Sequence, residues 1–280
     1  MNNQEYCRCC GGKLAPHPAR RQLALARCTS CGLICQEPEP DAAELARRFR
    51  GAYFAGGEHN GYSDYRRLET SYRRHSRYLL RRIRALNGGR TGTLIEIGCA
   101  AGYFLDEARL QGWHVAGLEP NEDMASIARC ELGLDVRTTT LDAAASLFRA
   151  DVVVLLNVLE HLTEPTEVES LLHEMVCPGG LLFIETWDSA SLTARTLGER
   201  WHQWSPLVPY YHTRASLDNL FTAERWEPAC WRTGIKWIPL WRGLEILSFG
   251  ASAGREQSAP WRWNVPYIAG DLVNAAYHRR

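Results

Sequence analysis

Two groups of residues in this chain have the types and spacing that chemistry needs. Near the N-terminus, Cys7-x2-Cys10-Gly11 and Cys28-x2-Cys31-Gly32 form matching knuckles on either side of a 17-residue arm. Four thiolates so placed converge tetrahedrally on one ion, and a glycine after each pair lets the backbone fold back over the metal. Such a closed site suits a structural Zn2+, whose binding supplies most of the folding free energy of a segment too small to bury a core. Cys9 and Cys35 fall outside the repeat and read as spare thiols, although Cys9 could replace Cys10 as a ligand. Farther on, the apolar run Leu94–Ile97 breaks at Gly98-Cys99-Ala100-Ala101-Gly102. Gly98 permits a sharp turn, and Gly102 lets the next helix begin close to a bound group. Glu119 follows 17 residues after Gly102, and a carboxylate at the end of the next strand can accept both hydroxyls of an adenosine ribose. A dinucleotide fingerprint would read G-x-G-x-x-G/A, but Ala100 and Tyr103 stand where pyrophosphate needs glycine and a small residue. A nucleoside cofactor without phosphates fits better.

The elements that must hold these residues change character along the chain. After the two knuckles, a Pro-rich linker, "QEPEPDAAELARRF", enters a short helix. A longer helix is predicted near 63–86, with Ser63 as N-cap and an apolar face of Tyr65, Leu68, Tyr72, Leu79, Ile83 and Leu86. From Thr93 strands alternate with helices: "TLIEIG", "WHVAGLEP", "LDVRTT", "DVVVLL" and "LLFIETWD" are strands, with "CPGG" a turn before the last. Runs apolar on both faces call for a parallel sheet covered by helices on each side. "WEPACWRTGIKWIPLWRG" and "AGDLVNAAYH" are candidates for its closing strands.

With 280 residues, 45% of them apolar, the chain can bury a full core. No stretch approaches the roughly 18 apolar residues of a membrane span, and "MNNQEYCRCCGG" lacks the apolar centre of a signal peptide, so no membrane partner and a cytoplasmic location are expected. The ten cysteines are accordingly expected as metal ligands and buried thiols. Net charge is zero but uneven: residues 1–90 hold 17 basic against 8 acidic side chains, concentrated in "YRRLETSYRRHSRYLLRRIR". That run is either a solvated helix face or an anion-binding surface.

"LIEIGCAAGYFL", "VAGLEPNEDMASIA", "DVVVLLNVLEHLTEP" and "CPGGLLFIETWD" resemble the successive motifs of class I S-adenosylmethionine-dependent methyltransferases, in particular the group with Glu-His-Leu after the fourth strand. The likeness covers about residues 60–225, and the N-terminal knuckles resemble a zinc ribbon. It implies an α/β fold with a Rossmann-like, mostly parallel seven-stranded sheet and helices on both faces. It also implies a division into a ribbon (1–40), substrate-covering helices (41–90) and a cofactor-binding domain (91–280). S-adenosylmethionine would lie across the ends of the first, second and fourth strands. Carried over by motif, Glu96 would help position its methionine part, Gly98, Cys99 and Gly102 would line it, and Glu119 would hold the ribose. Pro120 and Asn121 would flank the adenine, Thr140 and Leu141 would meet its edge, and Asn157 would touch the methionine part. Ala100 departs from the family's commoner glycine; if the position needs a positive φ, alanine costs about 1 kcal/mol.

Methyl transfer needs an aligned acceptor and, for a hydroxyl, a base. His161, in "NVLEHL", is the first candidate, its alternative role being to cap the next helix with Glu160 or support the pocket wall. His212 is the second, within "GERWHQWSPLVPYYHTRASL", which also offers Trp201, Tyr210 and Tyr211 as an acceptor lid or as plain packing. Related enzymes carry a histidine near Val208 and a phenylalanine near His212, so the match is loose there. Tyr65, on the helix before the first strand, joins the substrate candidates, and Glu185 and Asp188 are further carboxylates near the fifth strand. A small-molecule acceptor is expected, anionic where the basic run meets it, and most simply a sugar or secondary metabolite methylated on oxygen. An RNA methyltransferase whose ribbon grips nucleic acid, a sugar C-methyltransferase and a non-catalytic scaffold are the alternatives, and the oligomeric state is left open.

Overall fold

A computed structural model describes residues 5–20, 23–50, 54, 65–240, 263–268 and 270–280. The N-terminal strands β1 (Leu14–Arg20), β2 (Leu23–Cys28) and β3 (Ile34–Gln36) pair antiparallel between and after the two knuckles. Helices α1 (Ala42–Arg50) and α2 (Glu69–Leu86) follow, α2 entered through a 3-10 turn at Tyr65–Leu68. The expected N-cap Ser63 lies outside the described residues. Alternation then builds β4 (Thr93–Ile97), α3 (Tyr103–Leu110), β5 (His114–Leu118), α4 (Glu122–Cys130), β6 (Val136–Arg137), α5 (Leu141–Ala144), β7 (Ala150–Leu156), α6 (Pro165–Met175) and β8 (Val176–Trp187). The remainder is α7 (Leu192–Leu197), β9 (Tyr210–Tyr211), α8 (Arg214–Leu220), β10 (Trp226–Thr233), β11 (Lys236–Pro239), β12 (Asn264–Tyr267) and β13 (Leu272–Arg279).

Seven strands form one sheet in the order β10-β13-β8-β7-β4-β5-β6. The pairs from β8 to β6 are parallel, and β13 runs antiparallel to both β8 and β10. Strand order reverses between β4 and β7, so a crevice opens beyond their carboxyl ends. Both faces are covered. Ile95, Val153 and Ile184 pack on one side with α6, while Leu94, Val154 and Phe183 pack on the other with α2, α3 and α4. The continuous apolar runs of the sequence are thus strands buried twice over.

Three local expectations change. "LDVRTT" yields only the two-residue β6, and "CPGG" is not a turn before β8 but a bulge within it, Gly179 sitting at φ +74°. Of the Trp-rich tail, β10 and β13 join the sheet, whereas β11 pairs with β12 in a separate two-stranded ribbon. The basic helix α2 also differs from a bare solvated face. Arg73 donates to Asp106 at 2.8 Å and Arg77 to Glu107 at 2.8 Å, joining α2 to α3. Such partly exposed pairs contribute about 0–1 kcal/mol each, against about 2 kcal/mol for each of the fully buried Leu79, Leu80 and Ile83. Apolar burial therefore attaches α2, and the arginines set its rotation.

The ribbon does not stand apart. β9, far along the chain, adds to β3, giving a second sheet in the order β1-β2-β3-β9. The ribbon cysteines share one apolar cluster with Leu159, Tyr210 and Leu217 of the larger half. The chain boundary near residue 40 is therefore not a boundary in packing. Among the described residues, no helix is long and apolar enough to cross a membrane.

Candidate functional site

The loop after β4 is built around Glu119. The N–H of Ala100 donates to Glu119 Oε2 at 2.7 Å and that of Asn121 to Oε1 at 2.8 Å. Ala100 does adopt the left-handed conformation, φ +46°. The roughly 1 kcal/mol of strain is offset by this bond to a carboxylate, a class worth about 1.5–3 kcal/mol. Gly98 and Gly102 are also left-handed, and a Cβ on either would come within 2.7 Å of Val158 or Leu134. Burial pushes Glu119 up to about 7 although both N–H donors pull it down. Glu96 is raised well above the carboxylate range, by burial and then by the Glu119 charge, and its Oε2 is buried with no partner.

A second polar group closes the crevice beside β7. Asn157, left-handed at φ +56°, donates from Nδ2 to Glu185 Oε1 at 3.1 Å, and its Oδ1 is buried without a partner. Glu185 is not a free carboxylate after the strand: it lies inside β8, fully buried, and also accepts from His75 Nε2 at 2.9 Å and Asn274 Nδ2 at 2.9 Å. Burial alone would raise Glu185, but His75, Lys236 and Asn274 hold it down to about 2. His75 Nδ1 faces no partner. Sequence reasoning missed His75, whose signal was its position one helical step before Leu79 on the stripe α2 buries.

Other predicted cofactor residues take different roles. Cys99 lines the loop with its backbone only, since its thiol packs against Gly117. Asn121 is committed on both sides, capping α4 through Oδ1 to Met124 N at 3.0 Å and donating from Nδ2 to the Phe49 carbonyl at 2.9 Å. Leu141 is buried in the core cluster beside Ile97 and Leu118, while Thr140 is half-buried at the start of α5 without a capping bond, and Pro120 is half-buried after Glu119. Tyr65 packs over the Gly98–Gly102 loop, in one cluster with Ala100, Ala101 and Met124, and stacks on Tyr103 at 5.8 Å.

The aromatic segment after α7 corrects the lid expectation. Trp201, Trp204 and Tyr211 are buried with Leu25 and Ile34 of the ribbon. Trp201 Nε1 donates to Asp271 at 2.8 Å, Tyr211 OH to the Ser205 carbonyl at 3.0 Å, and Tyr210 OH to Glu39 at 2.7 Å. These rings are packing between ribbon and sheet, with their polar ends already engaged. His212 is buried beside the ribbon, its Nδ1 3.4 Å from Ser216 Oγ, and burial lowers it to about 4, with Cys7 opposing. That placement withdraws it as a base facing an acceptor. His161 keeps its position, in a 3-10 turn after β7, where Nδ1–H donates to the Leu207 carbonyl at 2.8 Å. Since a carbonyl only accepts, Nδ1 carries a proton, so in the neutral ring the lone pair is on Nε2. Glu160 does not cap a helix but accepts from Thr186 Oγ1 at 2.8 Å. At the end of β8, Trp187 meets His202 at 5.7 Å and Tyr267 at 6.3 Å, with Lys236 Nζ 5.7 Å from the Trp187 ring.

In the ribbon, the sulfur atoms of Cys7, Cys10, Cys28 and Cys31 lie within 4.8 Å of one another. Zn–S bonds of about 2.3 Å at tetrahedral angles require sulfurs about 3.8 Å apart, so the set fits that ion. Gly12 N–H and Ser30 N–H point at Cys10 and Cys28 sulfurs at 3.4 Å, and Gly11 and Gly32 are both left-handed. Cys10, not Cys9, completes the set; Cys9 is buried beside it, and Cys35 donates to the Ala26 carbonyl at 3.6 Å.

A family profile described as a methyltransferase domain matches residues 72–236. A ubiquinone biosynthesis O-methyltransferase of Bradyrhizobium sp. (strain ORS 278) is 28% identical over 143 residues, 45% of this chain and 56% of that protein. One from Azotobacter vinelandii is 33% identical over 100 residues, 33% of this chain and 43% of that protein. The chain spans about half the length of the curated relatives it matches. Among solved structures, magnesium protoporphyrin IX methyltransferase from Synechocystis PCC 6803 with bound SAH aligns with a TM-score of 0.54 at 15% identity, over 86% of this chain and 100% of the other. The N-methyltransferase NodS of Bradyrhizobium japonicum WM9, in complex with S-adenosyl-L-homocysteine, gives 0.51 at 16%, over 86% and 99%.

Proposed function

This chain belongs to the methyltransferase-domain family, and from that premise we propose that it carries a methyl group from S-adenosylmethionine to a hydroxyl of a small molecule. The observation that carries this reading is the loop Gly98–Gly102 tied back to Glu119. When bound, the cofactor supplies an electrophilic methyl on a sulfonium sulfur; the chain's part is to bind, orient and take a proton. Glu119 would accept the ribose hydroxyls with the lone pairs its two N–H donors leave open. The buried orphans Glu96 Oε2, Asn157 Oδ1 and His75 Nδ1 are polar groups that a charged amino-acid moiety would satisfy. His161 Nε2 is the group we assign to take the acceptor's proton, a role worth about 10²–10⁴ in rate.

On acceptor class, the relatives' names favour a small hydroxylated molecule and give no special weight to a sugar over a secondary metabolite. The half-buried rings of Trp187, His202 and Tyr267 with Lys236 beside them suit a flat acceptor bearing negative charge. Docking of the ribbon on the larger half weighs against the RNA alternative, because the ribbon's partner is already within the chain. We further propose Zn2+ as the ion of the four-cysteine set. Calorimetry on Glu119→Ala tests the main reading. Cofactor affinity should fall at least a hundredfold, and retention of the wild-type affinity would refute the assigned site.

A further inference from the structure

The ribbon and His161 are joined by a short chain of contacts. Strand β3 holds β9 through the Ile34–Tyr211 and Cys35–Tyr210 pairs, and the Gln36 N–H donates to the Pro209 carbonyl at 3.0 Å. Gln36 Nε2 donates to the carbonyls of Ser205, at 3.2 Å, and Val208, at 2.8 Å, on either side of Leu207. Leu207 in turn is fully buried, and its carbonyl is the acceptor that keeps the His161 proton on Nδ1. Two further ties enclose the same turn. Thr213 Oγ1 donates to the carbonyl of the ligand Cys31 at 2.7 Å, and Arg8, between Cys7 and Cys10, pairs with Glu164, three residues after His161. Glu164 is itself left-handed, at φ +53°, where α6 begins.

We propose that the metal ribbon is a positioning element of the methyl-transfer site: through Gln36 it fixes the segment 205–209, whose Leu207 carbonyl selects the His161 tautomer with its lone pair on Nε2. Free imidazole in water distributes its proton between the two nitrogens, so a fixed acceptor on one side decides which nitrogen is the base. Gln36 and Arg8 act through other groups and are positioning residues. The inference rests on the methyl-transfer reading only for what the lone pair is used for, since the tautomer is measurable without an acceptor.

The test is nitrogen-15 spectroscopy of the imidazoles in the full-length chain, the His161 signals identified by their loss in His161→Gln. In the zinc-loaded wild type, His161 should show a proton on Nδ1 and a bare Nε2. Gln36→Glu keeps the side-chain size and all four cysteines but removes both donors. It should shift His161 toward the mixed tautomers of free imidazole while cofactor affinity by calorimetry stays within threefold. Stripping zinc with a chelator should do the same. An unchanged His161 tautomer in Gln36→Glu overturns the proposal, whether or not the metal-free chain stays folded. Failure of the wild type to bind S-adenosylmethionine would instead strike the methyl-transfer reading, by a measurement separate from the tautomer. With an active acceptor in hand, Gln36→Glu should lower kcat at least tenfold with the cofactor KM unchanged, and Gln36→Asn should restore part of it.

Discussion

The crevice beyond β4 and β7 and the seam between ribbon and sheet are both buried, and both are rich in polar side chains, yet they differ in how those groups end. At the seam, the donors of Trp201, Trp204, Tyr210, Tyr211 and Thr213 all reach acceptors within the chain. Among the described residues, the orphan polar atom there is Arg8 Nε. In the crevice, Glu96, Asn157 and His75 each keep a buried atom with nothing to bond. An unsatisfied buried polar group costs about 1–3 kcal/mol, so the seam commits these donors to the fold, whereas the three crevice atoms are the groups the proposed cofactor would satisfy. Aromatic and polar composition alone does not distinguish them; satisfaction does.

That contrast can be broken most severely at the metal. Cys28→Ser with Cys31→Ser should abolish stoichiometric zinc by metal analysis and disrupt the seam as well as the ribbon, because structural zinc is worth roughly 10 kcal/mol or more. An unchanged melting temperature would contradict a shared core. Trp201→Ala comes next. Loss of the ring and its bond to Asp271 should cost about 3–5 kcal/mol in denaturant unfolding, with cofactor affinity per folded molecule unaltered. A fall in affinity without loss of stability would return Trp201 to the acceptor site.

Glu119 should respond to pH in the opposite sense from a stabilising carboxylate such as Glu185. Glu119 is raised from 4.5 to about 7, so between those values the unfolded chain has released a proton that the folded chain still holds. The Glu119 contribution to stability therefore falls as pH rises from 4.5 to about 7 and is level above, by about 3 kcal/mol. Relative to wild type, Glu119→Gln should gain stability across that window; a pH-independent difference would refute the burial argument. Bound ribose hydroxyls would favour the ionised form, so cofactor binding near pH 6.5 should release a proton, seen as a buffer-dependent heat. Ala100→Gly is the smallest change. Relief of about 1 kcal/mol of left-handed strain should raise the melting temperature by about 2–4 °C, as judged by calorimetry.

Much of the sheet was legible because β4, β5, β7 and β8 are apolar runs punctuated by helix signals. The glycine loop and Glu119 were legible because both lie at strand ends, and the four ligands because their spacing repeats. What failed did so for identifiable reasons. "WHQWSPLVPYY" has the same composition whether it faces a substrate or a ribbon, and β9 is two residues paired with a strand from the other end of the chain. Periodicity carries no trace of such a partner. Glu185 looked like the end of a strand, whereas His75 and Asn274, its partners, come from α2 and β13. β11 was hidden because it follows β10 after only Gly234 and Ile235, and β12 because it is four residues long and contains Pro266.

The pairing of β3 with β9 also orders events during synthesis. The knuckles emerge first and can take up their ion early, but the hydrogen-bonding edge of β3 has no native neighbour until Tyr210 and Tyr211 leave the ribosome. Through most of translation the nascent chain thus presents the two knuckles with a bare strand beside them, and a chain cut short before residue 210 would keep that adhesive edge for good.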